Sequence, residues 1–173
     1  MIGPIVVRPA IASDIAQLPA IERSAAALFA SDPALAFLCD GAVIDEEEHA
    51  RFLAEGMQWV AEVGTTMVGF ACAQRVGANL HLREMSVRAE AQGQGVGKLL
   101  LARIMQAARD RHFPAVTLTT FKQVPWNAPF YSRAGFAIVP DEQLTAELAA
   151  ILDEEVAHGM PAGSRCAMIL RLK

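Results

Sequence analysis

The chain has 173 residues, of which 53% are hydrophobic and 20% are charged, and these values predict one folded domain over residues 1–173 and exclude a disordered chain. Fifteen lysines and arginines against nineteen aspartates and glutamates give a net charge of −4, so we expect no nucleic-acid partner. The longest uncharged run, Val63–Gln74, is shorter than the roughly 20 residues that span a membrane. Because the first residues also lack the features of a secretory signal, we expect a cytoplasmic protein without a membrane partner.

The first third of the chain predicts one strand and two helices. Ile5–Ala10 is a β-branched run that a proline interrupts, which is typical of a short strand. Ser13 and Asp14 precede apolar residues at helical spacing, and this pattern predicts a helix over 14–30. The acidic run 45–48 predicts a second helix, because negative charge stabilises a helix amino terminus. The alternative for this run is an acidic rim that attracts a cation.

The middle of the chain predicts a mixed sheet. Three apolar runs at 58–63, 67–74 and 80–87 are separated by short turns, which indicates an antiparallel meander. A helix over 95–112 and a strand over 115–121 follow, and such a strand–helix–strand unit is parallel. The remainder predicts a short helix over 125–134, a strand over 135–139, a helix over 141–158 and a closing strand over 166–172. The fold class is therefore α/β, with a mixed, twisted, mostly antiparallel sheet flanked by helices.

The cysteines and histidines indicate neither a disulfide framework nor a metal site. Cys39, Cys72 and Cys166 are widely spaced and each has at least one apolar neighbour, as buried free thiols have. The four histidines show none of the spacings of metal ligands. We therefore expect no metal.

The segment Gln92–Lys98 lies between a predicted strand and a predicted helix. Its glycines allow backbone amides to converge, and a helix amino terminus adds partial positive charge, so the segment is a candidate anion site. It does not match the nucleoside-triphosphate loop, which requires glycine where Gln92 stands and Ser or Thr where Leu99 stands. It does not match GxGxxG either, because Lys98 or Leu100 occupies the last glycine position. A glycine-rich turn without a ligand and a nucleotide-binding loop stay open as alternatives.

Two motifs resemble one known family. Gln92-x-x-Gly95-x-Gly97 resembles the Q/R-x-x-G-x-G/A pyrophosphate-binding motif of the GNAT superfamily of acetyl-CoA-dependent N-acetyltransferases. Asn127–Phe136 resembles, in compressed form, the N-x-x-A/P-x-x-x-Y-x-x-x-G-F segment of that family. The order of predicted elements is similar to the family from Ile5 to Leu172, and the run Val124–Tyr131 resembles a bacterial subgroup. The resemblance implies a single GNAT-type domain.

The resemblance also implies a set of residues that bind acetyl-CoA. Backbone amides from Gly93 to Lys98 would hold the pyrophosphate, and Gln92 would brace the loop. Backbone groups of Met85 and Val87 would pair with the pantetheine arm like an added strand. Asn127 would hydrogen-bond the pantetheine or a water molecule. The implied cofactor-binding residues are Met85, Val87, Gln92, Gly93, Gln94, Gly95, Val96, Gly97, Lys98 and Asn127.

Two side chains are candidate catalytic groups. The resemblance implies that Tyr131 lies near the sulfur and protonates the departing thiolate as a general acid; the alternative is a core aromatic residue. In Leu80–Val87 the apolar residues occupy even positions and then odd positions, a slip that predicts a β-bulge at Glu84. A bulge re-aims side chains, and an amine arrives protonated, so Glu84 is the predicted general base, directly or through water. A salt bridge with Arg83, Arg88 or another basic side chain is the alternative.

The resemblance implies an N-acetyltransferase that acts on a primary amine of a small metabolite by direct transfer in a ternary complex. The alternatives are a protein amino terminus or lysine as acceptor, and a non-catalytic acyl-CoA-binding sensor. A covalent route through Cys72 is disfavoured because no His or Asp lies near it in sequence. The resemblance implies that the acceptor contacts lie among Glu22, Phe29, Phe37 and 122–126, with ordinary packing as the alternative for each. Dimers are common in the family, which leaves a homodimer open.

Overall fold

Seven strands form one sheet. The computed structural model describes residues 3–173. Met1 and Ile2 lie outside the described residues, and they belong to the first residues in which we expect no secretory signal. The strands are β1 (Ile5–Pro9), β2 (Gln58–Val63), β3 (Thr66–Val76), β4 (Asn79–Val87), β5 (Ala115–Phe121), β6 (Ala137–Ile138) and β7 (Arg165–Arg171). Their order in the sheet is β1-β2-β3-β4-β5-β7-β6. The β4–β5 pair is parallel, and the pairs β1–β2, β2–β3, β5–β7 and β6–β7 are antiparallel. The predicted mixed, mostly antiparallel sheet is confirmed.

Five α-helices accompany the sheet in the described part of the chain. They are α1 (Leu18–Ala26), α2 (Glu46–Ala54), α3 (Val96–Asp110), α4 (Ala128–Arg133) and α5 (Ala146–Ala157). The acidic run before α2 acts as predicted, because the Asp45 side chain accepts a hydrogen bond from the Glu48 amide and caps the helix. None of the helices within residues 3–173 is long and apolar enough to cross a membrane.

The predicted helix over 14–30 is wrong in extent. Only Leu18–Ala26 is α-helical, and 3-10 turns cover Ala12–Gln17 and Ala27–Ser31. Pro19 lies at the start of α1, where its missing amide hydrogen leaves no helical bond unmade. Asp14 does not cap α1; its carboxylate accepts hydrogen bonds from the Ile11 amide and from Arg8.

Three later predictions are also wrong in extent. The helix predicted over 125–134 begins at Ala128, with Pro129 in its first turn. The strand predicted over 135–139 is reduced to Ala137–Ile138. The helix predicted over 141–158 is α-helical only over Ala146–Ala157, because Thr145 accepts a hydrogen bond from the Leu148 amide and starts the helix there. The strands predicted over 58–63 and 115–121 have those bounds in the structure.

The chain divides into two compact units, and each is described by itself. The first unit comprises the described residues up to Ala73 together with Arg83–Met105, and the second comprises Gln74–Leu82 and Gln106–Lys173. The core of the first unit includes Leu18, Ile21, Phe52, Val60 and Phe70. In the second unit the antiparallel β5–β7 pair buries Val116, Leu118 and Met168.

Candidate functional site

The glycine loop, residues 92–98, presents exposed backbone at the amino terminus of α3. Gly93 and Gly95 have φ angles of +74° and +92°, a region that L side chains rarely adopt. A Cβ added at either glycine would have no atom within 4 Å. The Val96 side chain is buried, and the Gly95 carbonyl accepts a hydrogen bond from the Leu99 amide, so the end of the loop is anchored to α3. The loop therefore offers an open, amide-lined surface of the kind that binds phosphates.

Side-chain hydrogen bonds fix the loop to the end of β4. The Gln92 amide nitrogen donates to the Val87 carbonyl at 2.9 Å, and the Gln94 amide nitrogen donates to the Glu90 carbonyl at 3.2 Å. The Arg88 guanidinium donates to the Met67 carbonyl at 2.9 Å. The carbonyl of Val87, one of the predicted pantetheine-pairing residues, thus already accepts one bond within the protein.

Gly69 on β3 allows the start of α3 to lie close to the strands, and the sequence analysis missed it. A Cβ at this position would lie 2.9 Å from the Ser86 carbonyl oxygen and 3.2 Å from a Val96 methyl carbon. No side chain fits there without movement of backbone. A glycine inside an otherwise apolar strand is the pattern that indicates such a close approach.

Glu84 is half-buried on β4, and its carboxylate accepts a hydrogen bond from the Ser86 hydroxyl at 2.9 Å. The two arginines that the sequence offers as alternative partners of Glu84 have other contacts. The Arg83 guanidinium pairs with Glu48 at 3.7 Å, and the Arg88 guanidinium donates to a backbone carbonyl. Residues 84 and 85 are both half-buried, and residues 80–82 before them are all buried, so the burial of this strand does not alternate. The bulge itself stays a prediction.

Glu22 on α1 is a second carboxyl group in this part of the first unit. One of its oxygens accepts the Ile44 amide hydrogen at 2.9 Å. Burial raises the pKa of Glu22 to about 8, and the carboxylates of Glu84 and Glu48 add to this shift. The Ile44 amide and the Arg83 guanidinium oppose it. Glu22 is therefore mostly protonated at neutral pH.

His49 on α2 is fully buried and neutral. Its Nδ1 lies 3.0 Å from the Gln58 Oε1, while the Gln58 amide nitrogen donates to the Ala71 carbonyl. Because Gln58 then offers an acceptor, Nδ1 carries the hydrogen and Nε2 bears a lone pair. Within residues 3–173 that Nε2 has no hydrogen-bond partner. Burial lowers the pKa of His49 and keeps the ring uncharged.

Cys72 on β3 is fully buried beside Glu84. Burial, followed by the charge of Glu84, raises the pKa of the Cys72 thiol well above its ordinary value, and a backbone hydrogen bond from Glu84 opposes the shift. A thiol in this state is a poor nucleophile, since the thiolate is the reactive form.

In the second unit, Asn127 lies directly before α4 in a fixed orientation. Its side-chain oxygen accepts a hydrogen bond from the buried Thr120 hydroxyl at 2.6 Å, and its backbone carbonyl accepts the Tyr131 amide at 3.1 Å. With the oxygen held by Thr120, the carboxamide presents its nitrogen as the donor. Sequence analysis did not identify Thr120, because nothing in its own segment marks it.

Tyr131 is half-buried, and its ring meets Phe130 and Phe136 edge-on at centroid distances of 5.1 and 5.8 Å. Gly135, with φ of +100°, follows the end of α4. This conformation lets the Phe136 amide bond the Tyr131 carbonyl at 3.1 Å, a common way to end a helix. The Gly-Phe pair of the motif thus holds the tyrosine in place.

The structure distributes the predicted residues over both units. Glu84, Met85, Val87 and residues 92–98 lie in the first unit, and Asn127 and Tyr131 lie in the second. Of the predicted acceptor contacts, Glu22 lies near Glu84, while Phe37 and Trp126 are exposed. Among residues 3–173, no group of three His, Cys, Asp or Glu side chains is arranged to hold a metal.

Comparison with known proteins gives matches at three levels. The family model described as "Acetyltransferase (GNAT) family" matches residues 26–136, more than half of the chain. N-acetyltransferase 8F1 of Rattus norvegicus is 37% identical over 73 residues, which are 39% of this chain and 33% of that protein. The chain thus spans about a third of the length of the curated relatives it matches.

Two solved structures are similar over nearly the whole chain. PaiA N-acetyltransferase from Thermoplasma acidophilum, in complex with coenzyme A, has a TM-score of 0.70 and 15% identity, and the match covers 98% of this chain and 99% of that one. Ribosomal-protein-S18-alanine N-acetyltransferase from Escherichia coli has a TM-score of 0.69 and 16% identity, with 98% and 95% covered. At these identities the likeness shows the fold: a seven-stranded, mostly antiparallel mixed sheet flanked by helices.

Proposed function

The chain belongs to the GNAT acetyltransferase family, and on that premise we propose that it transfers the acetyl group of acetyl-CoA to a primary amine of a small metabolite, directly and in a ternary complex. The observation that carries the proposal is the open pair Gly93 and Gly95 at the amino terminus of α3. The coenzyme A in the PaiA structure supports it. A cytoplasmic location and a homodimer remain part of the proposal.

The glycine loop fits the pyrophosphate of acetyl-CoA. Both glycines leave empty space where a side chain would project, so a phosphate can approach the backbone amides of 93–98. Gln92 holds the loop through Val87. Acetyl-CoA supplies a thioester carbonyl that an amine can attack, and the protein supplies the binding surface and the proton transfers.

Glu84 is the proposed proton acceptor. An alkylamine has a pKa near 10 and is mostly protonated at neutral pH, so a proton must leave before the nitrogen can attack. The Glu84 carboxylate is half-buried and oriented by Ser86. It takes that proton, directly or through water.

Tyr131 is the proposed proton donor to the departing thiolate. A phenol is a competent acid toward a thiolate that forms beside it. The ring contacts with Phe130 and Phe136 hold the side chain in one orientation. Cys72 does not enter the proposal, because burial keeps it as a thiol.

An acceptor screen tests the proposal. Enzyme and acetyl-CoA are incubated with small primary amines, with a peptide that has a free amino terminus and with a lysine peptide, and CoA release is measured. Release with a small amine, and amide product by mass spectrometry, is the expected result. Release with the peptides alone would make the protein a protein acetyltransferase.

A second measurement separates the remaining alternatives. Micromolar binding of CoA without release for any acceptor would indicate an acyl-CoA sensor. A larger thermal shift with ATP or NAD than with acetyl-CoA would indicate a nucleotide-binding loop.

A further inference from the structure

Strand β3 carries one extra residue opposite β2. Ala61 pairs with Gly69, and the next residue of β2, Glu62, pairs with Met67. Val68 is thus the extra residue, in the arrangement of a β-bulge. A bulge disrupts the ladder of hydrogen bonds locally, so some backbone groups of this segment need partners from outside the two strands.

Arg88, the first residue after β4, bonds two successive carbonyl groups of this bulge. Its backbone amide donates to the Val68 carbonyl at 2.8 Å, and its side-chain Nε donates to the Met67 carbonyl at 2.9 Å. Met67 and Val68 are buried, and Arg88 is half-buried. Because a buried carbonyl group without a partner is costly, these two bonds satisfy the bulge and fix the backbone of Arg88 at the same time.

The short stretch between Arg88 and the glycine loop is also held by hydrogen bonds. The Ala89 amide donates to the Ser24 hydroxyl on α1 at 3.0 Å. The Gln92 side chain donates to the Val87 carbonyl at 2.9 Å. The backbone that enters the loop is therefore bonded on both sides of Arg88, and its contact with β3 is made by Arg88 itself.

Gly69, next to the bulge, brings the first turns of α3 against the same part of β3. A Cβ at this position would lie 2.9 Å from the Ser86 carbonyl oxygen, 3.2 Å from a Val96 methyl carbon and 3.3 Å from a Leu100 methyl carbon. The end of β4, the bulge and the start of α3 thus pack at backbone distance. Close-packed interiors transmit strain, so a displacement at the bulge reaches both ends of the glycine loop.

We propose that Arg88 is a positioning residue for the pyrophosphate of acetyl-CoA, and that it acts through its hydrogen bond to the Met67 carbonyl and not through its charge. This inference rests on the proposed function, in which the backbone amides of 93–98 hold the pyrophosphate. Gly93 and Gly95 have open space around them and a flexible backbone. Their orientation before binding therefore depends on the bonded residues that precede them, and such preorganisation increases affinity.

Three substitutions of Arg88 separate the hydrogen bond from the charge. Arg88→Gln places a nitrogen donor at the position of Nε and carries no charge. Arg88→Met has a side chain that reaches the same position without a donor or a charge. Arg88→Lys keeps the charge but has a carbon atom at that position. Arg103→Met is the control for loss of a positive charge, because it removes another half-buried arginine, which lies over the Trp59 ring.

Isothermal titration of each full-length variant with CoA tests the proposal without any acceptor. We expect the affinity to fall about tenfold in Arg88→Met and in Arg88→Lys, the scale of one lost hydrogen bond from a charged donor. Arg88→Gln and Arg103→Met should bind CoA as the wild type does. Equal affinities of Arg88→Gln and Arg88→Met, or a tighter complex with Arg88→Lys than with Arg88→Gln, would overturn the proposal.

Kinetics with two acetyl donors give a readout that a general loss of structure would not move. S-acetylpantetheine lacks the pyrophosphate that the loop holds in acetyl-CoA. The ratio of kcat/KM for acetyl-CoA to kcat/KM for S-acetylpantetheine should therefore fall about tenfold in Arg88→Met and return to the wild-type ratio in Arg88→Gln. Damage to the whole fold would lower both values together and leave the ratio unchanged, which would contradict a role in positioning the loop.

Amide resonances of the ligand-free protein distinguish failure of this inference from failure of the proposed function. In ¹⁵N-labelled protein, the Gly93 and Gly95 resonances should move in Arg88→Met and Arg88→Lys and keep their wild-type positions in Arg88→Gln. A wild type that binds no CoA would overturn the proposed function, and this pattern would still support Arg88 as the residue that orients the loop. Equal displacements in Arg88→Gln and Arg88→Met would overturn that role even if amines are acetylated.

Discussion

The glycine loop and the carboxyl groups of Glu22 and Glu84 lie in the same unit but are built in opposite ways. The loop is one contiguous segment, exposed over 93–95, whose backbone forms the proposed binding surface, with Gly93 and Gly95 in positive φ. Glu22 and Glu84 are half-buried side chains on α1 and β4, and burial, followed by the charge of Glu84, raises the pKa of Glu22. The comparison teaches that the proposed ligand binding would depend on local backbone conformation, while the proposed proton transfer would depend on contacts that only folding creates.

The largest effect, a loss of CoA binding, is expected when the backbone surface of the loop is covered. Gly95→Trp forces a side chain into the positive-φ position and over the amides, and we expect CoA binding to weaken at least about a hundredfold because strain and several amide bonds are involved. Isothermal titration with CoA measures the change. Gly64→Trp is the control, since Gly64 in the β2–β3 turn has φ of +60° and equally open space. Equal affinity of Gly95→Trp and wild type would remove the loop from the binding site.

Substitution of Glu84 should have the opposite effect, with loss of turnover and unchanged binding of CoA. Glu84→Gln removes the proton acceptor but leaves the loop intact, so we expect the turnover number to fall about a hundredfold, as loss of general base catalysis does. The affinity for CoA should change less than twofold, by the same titration. Unchanged turnover at neutral pH would exclude Glu84 from the mechanism.

A smaller effect is expected where one hydrogen bond orients a binding side chain. Thr120→Val leaves the Asn127 carboxamide without its buried partner, and one lost hydrogen bond of about 1 kcal/mol corresponds to roughly a fivefold rise in the KM for acetyl-CoA. Thr120→Ser keeps the hydroxyl and should restore the wild-type KM. Equal KM values for Thr120→Val and Thr120→Ser would show that the bond does not position Asn127.

A separate effect concerns the stability of the fold. The pKa of Glu22 rises from about 4.5 in the unfolded chain to about 8 in the fold. The folded state therefore binds more protons between these values, and the stability contributed by Glu22 is fully present below pH 4.5 and lost as the pH rises through 8. Glu22→Gln should gain about 4 kcal/mol over wild type at pH 8 and almost nothing at pH 4, by urea unfolding, because the pKa difference between 4.5 and about 8 is worth about 1.4 kcal/mol for each pH unit. A constant difference at both pH values would contradict the buried proton.

Features fixed by local residues could be predicted from the sequence. The strands 58–63 and 115–121 follow from apolar runs between turn residues, and the glycine loop follows from its spacing before a helix. The extent of α1 could not be predicted, because the apolar period continues through residues that the structure places in 3-10 turns. Proline is tolerated in the first turn of a helix but interrupts a helix further along. Pro19 and Pro129 lie in first turns, so the helices predicted from 14 and from 125 begin later in the structure.

The candidate site shows the same division. Glu84 could be singled out because a slip in the alternation is visible in its own strand. The raised pKa of Glu22, the unpartnered Nε2 of His49 and the Thr120–Asn127 bond could not be predicted, since each depends on a partner from a distant segment. Such partners are defined by packing, not by spacing along the chain.

A single-turnover experiment tests the central claim most directly. Enzyme in excess over [1-¹³C]acetyl-CoA is mixed with the best small primary amine of the screen, and NMR and intact-protein mass spectrometry follow the label. Direct transfer predicts that the label passes from thioester to amide in one step, with no acetylated protein at any time and a much slower step in Glu84→Gln. Label on Cys72 before the amide forms, or no amide with any amine, would contradict the account.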